Sequence, residues 1–120
     1  MEYAKLCDSE YRFMCVIWEA EPVSSGQLVS LCQEKLGWKK STTYTVLRKL
    51  CEKGYLENKD TIVSALVSKE QIQAKESEEF VERTFDGSLP SFIAAFLGGR
   101  KISGEEAEAL KQMIEAHKEE

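Results

Sequence analysis

The chain has little histidine and lacks the residue patterns on which most enzymes and metal sites depend. Its 120 residues include a single histidine, His117, which lies near the end of the chain. None of the four cysteines, Cys7, Cys15, Cys32 and Cys51, forms a C-x-x-C pair. The sequence also has no glycine-rich phosphate loop and no nucleophile paired with a histidine. We therefore expect neither an enzyme nor a bound metal ion or cofactor.

Long hydrophobic runs are also absent, which bears on where the protein works. No apolar run approaches the roughly 20 residues that span a bilayer, and the first ten residues, MEYAKLCDSE, contain no apolar segment typical of a signal peptide. Cys15, Cys32 and Cys51 fall on apolar faces of predicted helices, where a free thiol behaves as a small buried hydrophobe. We expect a cytoplasmic protein with reduced thiols and no membrane insertion. For the cysteines, a disulfide or a metal site is the alternative.

Positive charge is scarce overall and concentrated in one segment. The formal net charge is −5, and the excess acid lies in the second half of the chain, since residues 1–58 carry eight cations and eight acids. Residues 35–53 nevertheless hold six of the sixteen cations and a single acid, Glu52. A polyanion that approaches this segment meets a local positive field, so the overall acidity does not exclude nucleic acid as a partner.

Hydrophobic periodicity, caps and turn formers predict a winged helix-turn-helix within residues 1–67. Its elements, in chain order, are a helix over about residues 8–20 capped by Asp8 or Ser9, a helix from a cap at Ser24 or Ser25 to Gly37, a helix from Lys40 or Ser41 to Gly54, and a small two-stranded hairpin over residues 55–67. We expect a mainly α protein in which this DNA-binding type of domain is followed by a second region.

That second region, residues 68–120, is predicted to form three more helices, starting near Ser68, Ser88 and Ser103. They carry more apolar surface than they can bury among themselves, and such a surface needs a partner. We therefore expect a helical dimerisation region and a homodimer. The residues assigned to the dimer interface are Phe80, Phe85, Phe92, Ile93, Phe96, Leu97, Leu110, Met113 and Ile114.

The segment KKSTTYTVLRKL, residues 39–50, separates into two faces when it is placed on a helix. One face repeats at the i, i+3, i+4 and i+7 spacing of a buried stripe, with Thr43, Val46, Leu47 and Leu50. The other face and its flanks offer hydroxyls, a phenol ring and cations, from Lys39, Lys40, Ser41, Tyr44, Thr45, Arg48, Lys49 and Lys53. Arginine, serine and threonine can bond base edges in the major groove, and lysines near a helix start suit phosphates. The simpler interpretation is a solvated basic face, but the preceding helix and the following hairpin favour DNA binding.

Several motifs also resemble those of a known family. They are D-x-E-Y-x-x-M-x-x-I-W in residues 8–18, W-x-x-x-T-x-x-T-x-L-x-K-L in residues 38–50, K-G-Y-L in residues 53–56, F-x-G-S-L-x-x-F-I-A-x-F in residues 85–96 and I-S-x-E-E-x-E-x-L in residues 102–110. In this order they resemble the penicillinase and methicillin-resistance repressors over nearly the whole chain. The resemblance implies a dimeric winged-helix repressor that binds double-stranded operator DNA.

Positions carried over from the family add residues to the candidate interface. The resemblance implies that Thr42, Tyr44, Thr45 and Arg48 face DNA and that Trp38 lies at the turn before the recognition helix. The wing departs from the family, because its tip, ENKDT, is short and carries one cation. Copper-responsive relatives have a cysteine cluster near the C-terminus, which this chain lacks, so a copper-sensing role is not expected.

The resemblance also suggests how repression could end. In the β-lactam-responsive members, a membrane receptor with a metalloprotease domain triggers cleavage at an Asn-Phe bond. The aligned bond here is Ala95–Phe96, which would make a membrane sensor protease system a partner, although the asparagine is missing. The alternative role of Phe96 is in the dimer interface. Two functional hypotheses remain: a dimeric repressor that reads a palindromic operator with its third helix in the major groove, and a winged-helix protein-interaction module without DNA binding.

Overall fold

The computed structural model describes residues 5–119, which form six α-helices and three short β-strands. In chain order the elements are α1 (Asp8–Ala20), β1 (Val23–Ser24), α2 (Ser25–Leu36), α3 (Lys40–Glu52), β2 (Leu56–Lys59), β3 (Ile62–Ala65), α4 (Lys69–Phe85), α5 (Leu89–Leu97) and α6 (Gly104–Ala116). The prediction of a mainly helical chain with a small β-hairpin is confirmed. No helix in the described part of the chain has the length and apolarity needed to cross a bilayer.

Short polar signals set the ends of several helices. At the start of α2, the Ser24 hydroxyl accepts the backbone N–H of Gln27 at 3.1 Å. The same helix stops at Gly37, whose φ of 71° lies in the left-handed region that disfavours a Cβ. Ser88 and Ser103 cap α5 and α6 in the way that Ser24 caps α2. These ends agree with the predicted ones because each depends on residues next to one another in the chain.

The start of α1 differs from the prediction. Asp8 and Ser9 lie inside the helix, and the N-cap is Cys7. Glu10, at the third helical position, accepts the Cys7 backbone N–H through Oε1 at 2.9 Å. A carboxylate at this position can reach back over the first turn of its helix, which satisfies a donor that would otherwise lack a partner.

The predicted two-stranded hairpin is present as β2 and β3, and a third strand, β1, extends it to a three-stranded antiparallel sheet. Strand β3 lies in the middle, between β2 and the two-residue strand β1, where Val23 pairs with Val63. The hairpin turns at Asp60 and Thr61, whose φ angles of 53° and 68° suit the twist of the strands. The Ser25 backbone N–H donates to the Thr61 carbonyl at 2.8 Å, which ties the turn to the start of α2.

The core lies where α1, α2, α3 and the sheet meet. Its buried apolar side chains are Leu6, Phe13, Met14, Val16, Ile17, Val23, Leu28, Cys32, Leu47, Leu50, Tyr55, Leu56, Val63, Val67 and Ile72. Burial of a large apolar side chain stabilises a fold by roughly 1.5–3 kcal/mol. Every element up to the start of α4 contributes to this core, so α3 is fixed along its inner side.

The chain divides into two compact units, and the division falls inside α4, between Ser77 and Glu78. The start of α4 belongs to the first unit, because Ile72 is buried in its core and Gln73 Nε2 donates to Tyr11 Oη at 3.3 Å. The division lies ten residues beyond the predicted boundary between residues 67 and 68. The helical pattern of α4 alone could not tell which of its turns pack on the first core.

The second unit is held by ring contacts. The Phe85 and Phe92 centroids are 5.5 Å apart, and Phe80 lies 6.0 Å and 5.9 Å from them, all edge to face. Phe96 extends this cluster from Phe92 at 6.2 Å. Among the described residues of α5 and α6 none is buried, so the apolar side chains of these helices stay accessible.

Candidate nucleic-acid interface

Helix α3 turns one face to the core and the other to solvent. The predicted inward stripe is confirmed, since Thr43, Leu47 and Leu50 are buried and Val46 is partly buried. Tyr44, which was predicted on the outward face, and Cys51 are also partly buried. The polar side chains that are exposed to solvent on this helix include Ser41, Thr42, Thr45 and Arg48. The helix therefore has the rotation that the sequence pattern predicted.

The start of α3 offers positive potential and free backbone donors. Lys39 is the N-cap and makes no side-chain cap hydrogen bond, so no cap satisfies the N–H groups of the first turn. Both Lys39 and Lys40 are exposed beside this helix end, which carries partial positive charge. Across residues 5–119, no ion pair engages Lys39, Lys40 or Arg48. These features together suit a phosphate group.

The exposed face of α3 combines different hydrogen-bonding types within a short distance. Thr45 Oγ1 donates to the Ser41 carbonyl at 2.9 Å, so its hydroxyl proton is used, and the exposed side chain still offers an acceptor oxygen and a methyl group. Arg48 follows one turn later, with guanidinium donors that can grip a guanine edge in two places. The exposed face of α3 therefore offers the paired donors of Arg48 together with the acceptor oxygen and methyl group of Thr45.

Two aromatic residues predicted at the interface are held partly in the core. The Trp38 ring stacks on Phe13, with centroids 5.4 Å apart and an interplanar angle of 15°. Tyr44 is half-buried and packs against the same core. Trp38 therefore fixes the turn that precedes α3. Direct contact of either ring with DNA stays a prediction.

The two lysines near the end of α3 are paired with a buried acid on α1. Lys49 Nζ and Lys53 Nζ lie 3.4 Å and 3.5 Å from Oε2 of Glu10, a residue that is only 4% exposed. Burial raises the pKa of this carboxyl, but hydrogen bonds from the Cys7 backbone and thiol and the charges of Lys53 and Lys49 outweigh burial, so the pKa is lowered. The sequence pattern predicted both lysines among the DNA-facing cations and predicted no role for Glu10. The position of Glu10 beside the apolar stripe of α1 is the signal that could have revealed it.

The wing adds little charge to the interface. Its two strands have four residues each, and Lys59 at the end of β2 is exposed. Glu57 and Asp60 are exposed close by in the chain, so they reduce the field of this cation. The positive surface of the first unit therefore centres on α3.

The cysteines are free thiols with different exposure. Cys7 is exposed, Cys32 is buried, and Cys15 and Cys51 are partly buried. Burial raises the pKa of the Cys32 and Cys51 thiols, which makes them less reactive. Over residues 5–119, no cluster of three or more histidine, cysteine or acidic side chains could hold a metal ion.

The residues predicted to dimerise lie at the surface of the second unit. Those that are more than two-fifths exposed are Phe80, Ile93, Phe96, Leu110, Met113 and Ile114, while Phe85, Phe92 and Leu97 are partly buried. An open, largely apolar groove of about 480 Å³ runs between α5 and α6, with Phe96 and Leu110 in its wall. The Ala95–Phe96 bond lies inside α5, and the Arg100 guanidinium stands 4.7 Å from the Phe96 ring centroid.

Known proteins resemble this chain in sequence and in fold. A family model described as penicillinase repressor matches residues 6–116. The penicillinase repressor of Bacillus licheniformis is 27% identical over 118 residues, covering 95% of this chain and 92% of that protein. The methicillin resistance regulatory protein MecI of Staphylococcus aureus is 25% identical over 114 residues, covering 92% and 93%. The solution structure of B. licheniformis BlaI, in its monomeric form in complex with the blaP half-operator, matches 57% of this chain and 88% of its own with a TM-score of 0.50 at 19% identity. That likeness supports the winged-helix fold.

Proposed function

The chain belongs to the penicillinase repressor family, and from this premise we propose that it is a dimeric, sequence-specific transcriptional repressor. In this proposal α3 lies in the major groove of a palindromic operator in the cytoplasm. Family membership agrees with the expectation that the chain is not an enzyme.

The single observation that carries the proposal is the solvent-facing side of α3. Ser41, Thr45 and Arg48 are exposed on a helix whose opposite side is anchored in the core. A recognition helix must be rigid on one side and bear base-reading groups on the other, with a second helix and a wing to hold it. Helix α2 and the sheet supply those supports.

Phosphate and base contacts would have separate sources on this helix. The uncapped start of α3, with Lys39 and Lys40, would take backbone phosphates and set the register. Arg48 and Thr45 would then read base edges, and each good bidentate pair discriminates against a wrong base by about 1–3 kcal/mol. Bacillus licheniformis BlaI binds a half-operator in its monomeric form, which supports assigning one half-site to one winged helix.

The dimer would be formed by the second unit. Phe96, Met113 and Ile114 are 50%, 59% and 68% exposed, which is unusual for apolar side chains of this size. Burial of a few of them in each subunit, at roughly 1.5–3 kcal/mol each, would hold a dimer at micromolar concentration. Two linked winged helices gain operator affinity through effective concentration.

The binding proposal is tested by a salt titration on duplex DNA. Lys40→Ala should lower affinity for all duplexes alike and reduce the slope of log affinity against log salt by about 0.9, because one phosphate contact is lost. Lys111→Ala, which removes the same charge from exposed α6, is the matched control and should leave the slope unchanged. Absence of duplex binding at low salt would instead support a winged-helix protein-interaction module.

The dimer proposal is tested by sedimentation of the full chain. We expect a dimer at tens of micromolar and a monomer after Phe96→Asp, because a charge would enter the interface. Leu66→Asp, at a residue that is 56% exposed in the first unit, is the matched control and should remain dimeric. A full-length monomer at tens of micromolar would contradict this role of the second unit.

Release by proteolysis at Ala95–Phe96 is the less favoured part of the proposal. The bond lies within α5, where the Gly98 backbone N–H donates to the Ala94 carbonyl at 3.0 Å. A membrane sensor protease system would therefore need to unwind this helix before cutting it. A dimer-interface role for Phe96 needs no such step, so we favour it. Incubation with the sensor protease, followed by mass measurement of the fragments, decides between the two roles.

A further inference from the structure

The two carboxylate oxygens of Glu10 have different partners, one at the start of α1 and the other at the end of α3. Oε1 accepts the Cys7 backbone N–H at 2.9 Å, while Oε2 lies 3.4 Å from Lys49 Nζ and 3.5 Å from Lys53 Nζ. The Glu10 side chain is 5% exposed, whereas those of Lys49 and Lys53 are 56% and 27% exposed. The ammonium groups thus bend back towards α1 from the helix proposed to read DNA.

A carboxylate buried to this degree keeps its charge only when it is paired and hydrogen-bonded. Here one oxygen closes the first turn of α1 and the other draws in two cations that are one turn apart on α3. The contact therefore fixes the C-terminal part of α3 against α1, independently of the apolar side chains on its inner face. It also places a negative charge beside two cations at the end of the helix that is proposed to meet DNA.

We propose that Glu10 is a positioning residue that anchors the end of α3 and withholds Lys49 and Lys53 from the DNA backbone, so that sequence-independent affinity for duplex DNA is held down while the base contacts that select the operator are kept. This inference rests on the proposed DNA-binding function. Non-specific affinity comes almost wholly from neutralised phosphates, whereas operator affinity also includes base contacts. Each withheld phosphate contact therefore lowers the affinity for every duplex alike and leaves the discrimination by base contacts unchanged.

Glu10→Gln removes the ion pairs with the two lysines but can keep the hydrogen bond to Cys7, so it tests the two contacts of the carboxylate separately. The amide oxygen can still accept the Cys7 backbone N–H, so the start of α1 keeps its cap. The amide nitrogen carries no negative charge and cannot accept a bond from an ammonium group. Lys49 and Lys53 become free to reach phosphates while the helix that carries Glu10 keeps its structure.

The test is a salt titration of the full-length chain on random-sequence duplex. Glu10→Gln should make the slope of log affinity against log salt steeper by about 0.9–1.8, one step for each lysine released. Glu19→Gln is the matched control, because Glu19 also lies on α1 and pairs with a lysine, Lys35, at 3.6 Å, but is exposed. It should leave the slope unchanged, and an equal effect of both variants would show that only net charge matters and would overturn the inference.

Lys49→Gln in both backgrounds is a second test, and its result in the unaltered background keeps the inference testable even if Glu10→Gln fails to fold. In the unaltered background, Lys49→Gln should leave the salt slope unchanged, and in the Glu10→Gln background it should lower the slope by about 0.9. A drop of that size in the unaltered background would overturn the inference while leaving the proposed function intact. If the unaltered chain binds no duplex at all, the proposed function fails and this inference fails with it.

Discussion

Trp38 and Phe13 lie ring against ring, with centroids 5.4 Å apart and an interplanar angle of 15°. Phe13 is fully buried in the centre of α1, whereas Trp38 precedes α3 and is half-buried. The stack therefore sets the path of the chain into α3, and with it the direction in which Ser41 and Arg48 point. A residue predicted to meet DNA thus also contributes to the fold.

Loss of this stack should lower the stability of the protein by a measurable amount. We expect Trp38→Ala to lower the free energy of unfolding by about 2–4 kcal/mol, somewhat less than a fully buried tryptophan, since the ring is half-exposed. Trp38→Phe, which keeps a stacking ring, should lose much less. Urea titrations of both variants measure the effect. Equal and small losses would mean that the stack contributes little to the position of the turn.

The two faces of α3 should respond differently to truncation. Arg48→Ala should cost about 1–3 kcal/mol of operator affinity and relax the preference at one base pair, because a base contact is lost. Leu47→Ala, one residue earlier and 3% exposed, should cost about 2–5 kcal/mol of stability through the cavity it leaves. Operator binding and thermal melting of both variants check this. An exchange of the two effects would show that the helix is rotated in solution.

Stability at acid pH should depend on Glu10. The folded-state pKa of Glu10 lies below its ordinary value of 4.5. The stability that the ionised carboxylate contributes is therefore fully present above about pH 4.5, and it is lost as the pH falls through the lower folded-state pKa. Melting temperatures from pH 7 to pH 3 should therefore show a fall below pH 4.5 that is smaller in Glu10→Gln. The same fall in both proteins would assign the acid sensitivity to other carboxylates.

The end of the first unit can be located by truncation. A chain that stops at Ser77 keeps Ile72, which is 4% exposed, and should fold as a monomer. A chain that stops at Ser68 loses this side chain and the contact of Gln73 with Tyr11, and should be less stable by about 2–5 kcal/mol. Denaturant unfolding of both fragments gives the comparison. Equal stabilities would move the boundary back to the position that the sequence predicted.

What the sequence could predict depended on how far apart the interacting residues lie in the chain. The cap at Ser24, the stop at Gly37 and the rotation of α3 all follow from neighbours within one or two turns, and the structure contains them as predicted. Strand β1 was missed because its two residues form a strand only by pairing with β3, some forty positions later. The pairing of Glu10 with Lys49 was missed for the same reason.

The second unit could be predicted only as a set of helices. The caps at Ser88 and Ser103 and the apolar spacing give three helices over residues 69–116, and these are present. Which of their apolar side chains meet each other, such as Phe85 with Phe92, depends on the turns between helices and could not be derived from periodicity. Their assignment to a dimer interface stays a prediction.

The most direct test of a dimeric, operator-reading repressor is selection of duplexes from a random library by the full-length chain, followed by sequencing. A two-fold dimer with α3 in the major groove predicts enrichment of an inverted repeat whose half-site centres lie about one helical turn, roughly 10–10.5 base pairs, or a multiple of it apart. Enrichment of a single half-site without its inverted copy would contradict the dimer. Recovery of no enriched sequence at low salt would contradict the account as a whole.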